Sequence, residues 1–227
     1  MFKRRSVALA LVVAVCFALV NTAFAAGTVV FTNPTTTNSN FNRLAAANYA
    51  TTWAAWPGNN TAYPTYGGVG GDCTNFASQV MVAGGMPQQK DPNDWEAYDK
   101  NWYFNGPNPP DRSYSWTGAH EFRHYWGKGP AYGGQHAYEM KIYTVAEAKA
   151  NFSQIYSDLW KGDVVQHVYD NGTTYHSQVV VNYDGSDITV AQHSDNEGTW
   201  GTLSLKSYIN ARSSGQVIIL KMKNGVI

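Results

Sequence analysis

Residues 67–85 read GGVGGDCTNFASQVMVAGG. Four glycines (Gly67, Gly68, Gly70, Gly71) and Asp72 lead into Cys73. Thr74 to Ala83 then has helical spacing, with Phe76, Val80 and Ala83 on one side, until Gly84-Gly85 stops it. A thiol at a helix start meets unpaired N–H groups and the positive end of the helix dipole, and both favour the thiolate. The thiolate is the form that attacks carbonyl carbon, so Cys73 is the candidate nucleophile of a cysteine hydrolase. The plain alternative is a small buried packing residue, the commonest fate of an unpaired cysteine.

Cys73 is expected to be the only cysteine of the mature chain. Cys16 lies in a leader-like segment: Lys3, Arg4 and Arg5 precede an apolar run from Val7 to Val20, and Ala23-Phe24-Ala25 fits a cleavage site. The run is 14 residues long, short of the roughly 20 that span a bilayer as a helix. Residues 1–25 therefore read as a signal peptide, and the mature protein as secreted or extracytoplasmic, with no stable membrane anchor after cleavage. Three of the 16 basic residues lie in that leader, leaving 13 against 16 acidic groups. With no basic run or face, nucleic acid is excluded as a partner. About 200 residues suffice for one domain with a sizeable core.

Outward from the Cys73 helix, residues 26–39 are Thr- and Asn-rich and read as a linker or a loosely docked N-terminal strand segment. The domain is expected over 40–227. Asn40 is a candidate N-cap for a helix whose apolar stripe runs through Phe41, Ala45, Tyr49, Trp53 and Trp56. Residues 86–114 hold five prolines without a period and predict a long surface excursion carrying Trp95, Trp102 and Tyr103. A short helix follows at 117–126, and Thr144 with Glu147 forms a capping box for another. From Val164 on, segments 164–169, 175–183, 188–193 and 217–222 are rich in Val, Ile and Tyr and predict strands. Helices first and an antiparallel sheet later make the fold class α+β.

A cysteine nucleophile needs a base, normally histidine, and a group to orient it. His176 and His193 lie on predicted strands flanking Tyr183-Asp184-Gly185-Ser186. Asp-Gly favours a two-residue hairpin loop. Paired positions would then sum to 369, placing His176 opposite His193 with Cβ atoms roughly 4.5–5.5 Å apart. A longer loop shifts the sum to 371 and places Asp195 there instead. The turn chemistry favours His193.

Several pieces together resemble the putative amidase domain family. They are Phe41-Asn42-Arg43, Gly71-Asp72-Cys73-Thr74-Asn75-Phe76, Ser78-Gln79, Gly84-Gly85, Ser115-Trp116-Thr117, Gly162-Asp163-Val164-Val165-Gln166, His176-Ser177 and Gln192-His193-Ser194-Asp195-Asn196. They occur in the family's order over roughly residues 40 to 210. That family looks related to papain-like cysteine hydrolases, including the NlpC/P60 cell-wall enzymes. The resemblance implies a papain-like fold, with the Cys73 helix packed on the sheet. It also implies Cys73 as nucleophile, His176 as base, His193 as third member, and no cofactor. Substrates would be amides, of peptide or peptidoglycan origin. Asp72 and Tyr66 are the candidate binding residues, Tyr66 because it resembles the tyrosine upstream of the cysteine in NlpC/P60 enzymes. The Cys73 backbone N–H would hold the oxyanion, with Gln79 and Gln178 as further candidate donors. The proline-rich stretch Asn105–Asp111 departs from the family pattern.

Two other classes compete. His120-Glu121-Phe122-Arg123-His124 is a literal H-E-x-x-H zinc signature that continues to Gly127, with Pro130 where a third ligand would stand and Glu147 as a substitute. In the plain reading, Ala119, Phe122 and Trp126 form a buried face and the histidines flank it. The third class is a non-catalytic module binding a sugar or peptide along Trp95, Trp102, Tyr103 and Trp116, although scattered aromatics are usually core.

Overall fold

The computed structural model describes residues 26–34, 40–55, 57–67, 71–129, 132–194 and 199–223. The expected signal peptide over 1–25, together with Trp56, Gly68, Gly70, Pro130 and Asp195, lies outside the described residues. Among those residues no helix is long and apolar enough to cross a membrane.

Seven strands pair antiparallel in one sheet: β1 (Thr28–Thr32), β2 (Glu139–Thr144), β3 (Val164–Val168), β4 (Thr174–Tyr183), β5 (Ile188–Gln192), β6 (Gly201–Ser204) and β7 (Gln216–Lys221). Their spatial order is β1-β2-β7-β3-β4-β5-β6. Successive side chains on a strand point to opposite faces, and here both faces are covered. Val164, Val179, Ala191, Ile218 and Leu220 join a core with α1 (Arg43–Trp53), α2 (Cys73–Ala83), α3 (Tyr114–Thr117) and α4 (Ala119–Trp126). Their neighbours Val165, Val180, Val190, Val217 and Ile219 join a second core with α5 (Val145–Ala150), α6 (Phe152–Asp158) and α7 (Leu205–Asn210). That is why β7 reads as an unbroken apolar run.

Residues 28–32, within the stretch read as a linker or loosely docked strand, form the edge strand β1, paired with β2. Three expectations change. The first helix starts at Arg43 and is capped by Asn42, whose Oδ1 accepts the Ala45 N–H at 2.9 Å. Its buried stripe is Arg43, Ala46, Ala47 and Ala50, rotated by a residue from the expected one, so Tyr49 and Trp53 are half-buried. The 86–114 segment is no surface excursion at its centre. Trp102 is fully buried against Trp116, Tyr125 and Trp126, and its indole N–H donates to Ser78 Oγ at 3.0 Å. Isolated bridges Gln89–Trp102 and Phe104–Arg112 hold this stretch without a regular period to betray it. Finally, β1 and β2 belong to the sheet although both precede Val164, where the strands were expected to begin.

Two of the resembling motifs meet in space. Buried Arg43 pairs with Asp163 at 2.7 Å and donates to the Lys161 carbonyl at 2.9 Å. Asp163 also accepts the Met222 and Trp160 N–H groups, each at 2.9 Å. Gly162 next to it holds φ +83°, and a Cβ there would lie 2.9 Å from the Phe41 ring, so only glycine fits. The clamp fastens α1 to the start of β3 and the end of β7.

Candidate active site

Gly71, at φ +98°, turns the chain into Asp72, and Cys73 takes the first position of α2. All nine residues from Cys73 to Met81 are buried, because α2 runs between α1, α3 and the sheet. Asp72 does not cap the helix with its side chain. Its Oδ1 accepts the Tyr66 N–H and the Asn75 amide, each at 2.9 Å, and its Oδ2 accepts His193 Nδ1 at 2.6 Å. Asp72 is therefore a junction of the scaffold rather than a ligand-binding group. Tyr66 is also turned away from the thiol. Its hydroxyl donates to the Pro107 carbonyl at 2.7 Å, and Arg112 lies 4.8 Å over its ring. Neither residue lines the cavities on Cys73.

β4 begins at the same rim of the sheet where β5 ends, and α2 starts there too. Thr74 Oγ1 meets Ser177 Oγ at 3.0 Å, and Ser177 receives the Gln166 amide at 3.0 Å, so α2 is stitched to β4 and β3 by buried polar contacts. The stitch brings Cys73 and His176 together at the wall of one cavity, close enough for each to shift the other's titration. His176 Nε2 donates to Gln192 Oε1 at 2.7 Å, which leaves Nδ1 to serve the thiol. Burial pushes the Cys73 thiol up, but the His176 hydrogen bond and charge, with help from Thr74 and the Ser177 backbone, bring it below the ordinary thiol value. For His176, burial acts downward and is outweighed by Cys73 and Gln192, so its imidazolium is favoured. Both shifts point to a thiolate–imidazolium pair.

His193 does not orient His176. Its Nδ1 donates to Asp72, its Nε2 donates to the Trp53 carbonyl at 2.8 Å, and its ring is stacked between Phe76 and Trp200. The cause is register. The hairpin loop is four residues, Asp184 to Asp187, closed by Asp184 Oδ1 accepting the Ser186 and Asp187 N–H groups at 2.8 and 2.6 Å. Tyr183 thus pairs with Ile188, giving a sum of 371, and a bulge at Val181 changes it to 370 for Val180 with Val190. A slip of one residue exchanges the faces of a strand. His193 therefore turns toward α1 and α2, and Gln192 turns toward His176.

Gln192 is held in its turn. Its amide donates to the Thr199 carbonyl at 3.1 Å, and its Oε1 also accepts Gln178 Nε2 at 2.7 Å. Gln178 Oε1 accepts His167 Nε2 at 2.9 Å. His167 sits opposite His176 on β3, and burial, with the charge of His176, pushes it down to about 3, so it stays neutral. Each amide has one orientation that satisfies its partners. Gln178 is thereby committed inside the network and is no oxyanion donor. Gln79 Oε1 accepts the Tyr49 hydroxyl at 2.8 Å, and Gln79 lines neither cavity on Cys73. Gln192, inside a quoted motif, was overlooked because its role depends on the bulge at Val181. His167 carried no sequence signal beyond its place opposite His176, which only the β3–β4 register reveals.

Among the described residues, Cys73 lines two cavities. One, of about 480 Å³, is lined by Tyr169, Tyr175, His176, Gln192, Ser194 and Tyr208 among others. The other, of about 390 Å³, is lined by Thr117, Gly118, His120, Glu121 and Tyr175 among others. Tyr175 borders both because β4 carries a bulge there: Val168 pairs with Thr174 and His167 with His176, leaving Tyr175 unpaired. Bulges re-aim side chains next to active sites.

The H-E-x-x-H segment lies on α4, with His120 Nε2 and His124 Nε2 3.3 Å apart. Thr174 N–H donates to His120 Nδ1 at 3.3 Å, so the ring proton must stay on Nε2, the atom a metal would need bare. Glu147 cannot complete a set. It sits on the other face of the sheet, where it closes the capping box of α5 with Thr144. No group of three or more metal-ligating side chains occurs among the described residues. The aromatic groove also disappears, since Trp102, Tyr103 and Trp116 are buried.

Comparison with known proteins gives the family. Over 148 residues the chain is 31% identical to the uncharacterized protein YhbB of Bacillus subtilis (strain 168). The match covers 63% of this chain and only 38% of that protein. No solved structure matches. The profile of the putative amidase domain matches residues 40–219, a span that includes Cys73, His176, Gln192 and both ends of the Arg43–Asp163 clamp. The chain belongs to the putative amidase domain family.

Proposed function

We propose that this protein is an extracytoplasmic amide hydrolase of papain-like architecture, in which Cys73 forms a thioacyl intermediate. The observation that carries the reading is the contact between Cys73, at the first turn of α2, and a His176 ring held from behind by Gln192 at 2.7 Å. Thiolate Cys73 attacks the amide carbonyl, and its own backbone N–H, which has no acceptor inside the helix, faces the oxyanion. Imidazolium His176 gives its proton to the leaving amine. His176, now neutral, takes a proton from water that attacks the thioester, and the acid departs with Cys73 restored. Gln192 keeps the ring in plane throughout and replaces His193 as the third member. Peptides and cell-wall fragments remain the proposed substrates, and the leader-like sequence pattern of residues 1–25 supports the proposal of export.

The test is to mix the protein with a panel of peptide and muropeptide amides, quench in acid and map Cys73 by mass spectrometry. An acyl adduct on Cys73, absent from Cys73→Ala, is expected. Amide cleavage that persists in Cys73→Ala would overturn the mechanism.

A further inference from the structure

A third cavity, of about 270 Å³, adjoins the 480 Å³ one and shares Tyr169 and Tyr175 with it. Its lining includes Arg212, Ser213, Ser214 and Asp170. Arg212 follows α7 and is half-buried, its guanidinium 5.0 Å from the Tyr175 ring and 4.6 Å from the Tyr208 ring. It donates to the Tyr208 hydroxyl. Two rings and a hydroxyl thus fix the plane of the guanidinium at the edge of the cleft. Among the described residues no carboxylate forms an ion pair with it. Asp170 lines the same cavity, but its Oδ2 accepts the Ser214 hydroxyl at 2.6 Å, and Lys149, bonded to the Arg212 carbonyl, adds a second cation nearby. On the other side of Cys73 the charge is reversed, because Glu121 lines the 390 Å³ cavity.

A planar guanidinium that is oriented and unpaired is suited to a carboxylate, which it can bind through two parallel hydrogen bonds. Resting on the proposed cysteine mechanism, we propose that Arg212 is the carboxylate-binding group of the substrate site, so that the preferred substrates are peptide amides carrying a free carboxylate near the scissile bond. The carboxylate lies on the Tyr175–Tyr208 side, where Arg212 and Lys149 together outweigh Asp170, whereas Glu121 lines the other cavity. The field of Arg212 already reaches His176, where it opposes protonation. A bound carboxylate would offset that field and favour the imidazolium needed to protonate the leaving amine.

The experiment uses two probes of equal size, N-bromoacetylglycine and N-bromoacetylglycinamide, which differ in one charge. In either case the Cys73 sulfur forms a bond to the methylene carbon and bromide leaves. The ratio of the two alkylation rates cancels differences in thiolate content between variants. Wild type is expected to favour the carboxylate probe about tenfold, a difference of roughly 1.4 kcal/mol. Arg212→Gln should bring the ratio to one or below, and Arg212→Lys should retain part of the preference, because it keeps the charge but loses the planar fork. A ratio that is unchanged in Arg212→Gln, while Cys73 still reacts, overturns the carboxylate site and leaves the nucleophile intact. A Cys73 that reacts with neither probe overturns the cysteine mechanism instead. Circular dichroism of both variants separates either result from misfolding.

Discussion

At the scale of single residues, the thiol and the imidazole each shift the other. Cys73 lies below the ordinary thiol value and His176 above the ordinary histidine value. The thiolate therefore persists as pH falls below about 8.5, and the imidazolium persists as pH rises above about 6.5. The ion pair is most populated between the two shifted values and is lost on the acid side as Cys73 protonates, then on the alkaline side as His176 deprotonates. Alkylation of Cys73 by iodoacetamide should accordingly have its acid limb below the ordinary thiol value of about 8.5. His176→Ala should move that limb up toward the free-thiol value. Stopped-flow rates across pH 4–10 check both, and a wild-type limb at the free-thiol position would contradict the pairing.

At the scale of elements, β4 and β5 decide which side chains meet. The loop Asp184–Asp187 and the bulge at Val181 place Gln192 on the face of His176 and His193 on the face of α1 and α2. Substitutions at these adjacent positions should therefore fail differently. Gln192→Ala frees the His176 ring and should lower kcat about tenfold to a hundredfold, the scale of a small misplacement of a reacting group, with modest change in stability. His193→Leu leaves the Asp72 carboxylate buried without its partner and should cost about 3–5 kcal/mol of stability, while the folded fraction keeps the alkylation profile of wild type. Urea unfolding beside steady-state kinetics tells the two apart. This is also where sequence reading succeeded and where it stopped. The Cys73 helix, the capping box at Thr144 and four strands were legible because each follows local pattern. His176 could be nominated as a base, but its partner could not be chosen, because parity along β5 depends on one bulged residue and on an Asp184 carboxylate that closes a longer turn than Asp-Gly suggests. Trp102 was misplaced for a related reason: non-periodic segments show no face until packing assigns one.

At the scale of the whole molecule, the Arg43–Asp163 pair joins α1 to β3, and Met222 N–H brings in the end of β7. Both charged side chains are almost completely buried. Removing one partner strands the other without water, so Arg43→Met should destabilise the fold by about 3–5 kcal/mol, with Arg43→Met/Asp163→Leu recovering much of the loss. Chemical denaturation of the single and double variants measures this, and a single variant as stable as wild type would show that the clamp contributes little. The sheet order has a consequence for how the protein comes into being. β7 is made last yet lies between β2 and β3, near the middle of the sheet. Until residues 216–221 leave the ribosome, β1–β2 and β3–β6 have no strand to join them, and α1 lacks the C-terminal anchor of its clamp. A nascent chain in that condition has no complete core to lock, so the sheet closes only once β7 joins its two halves.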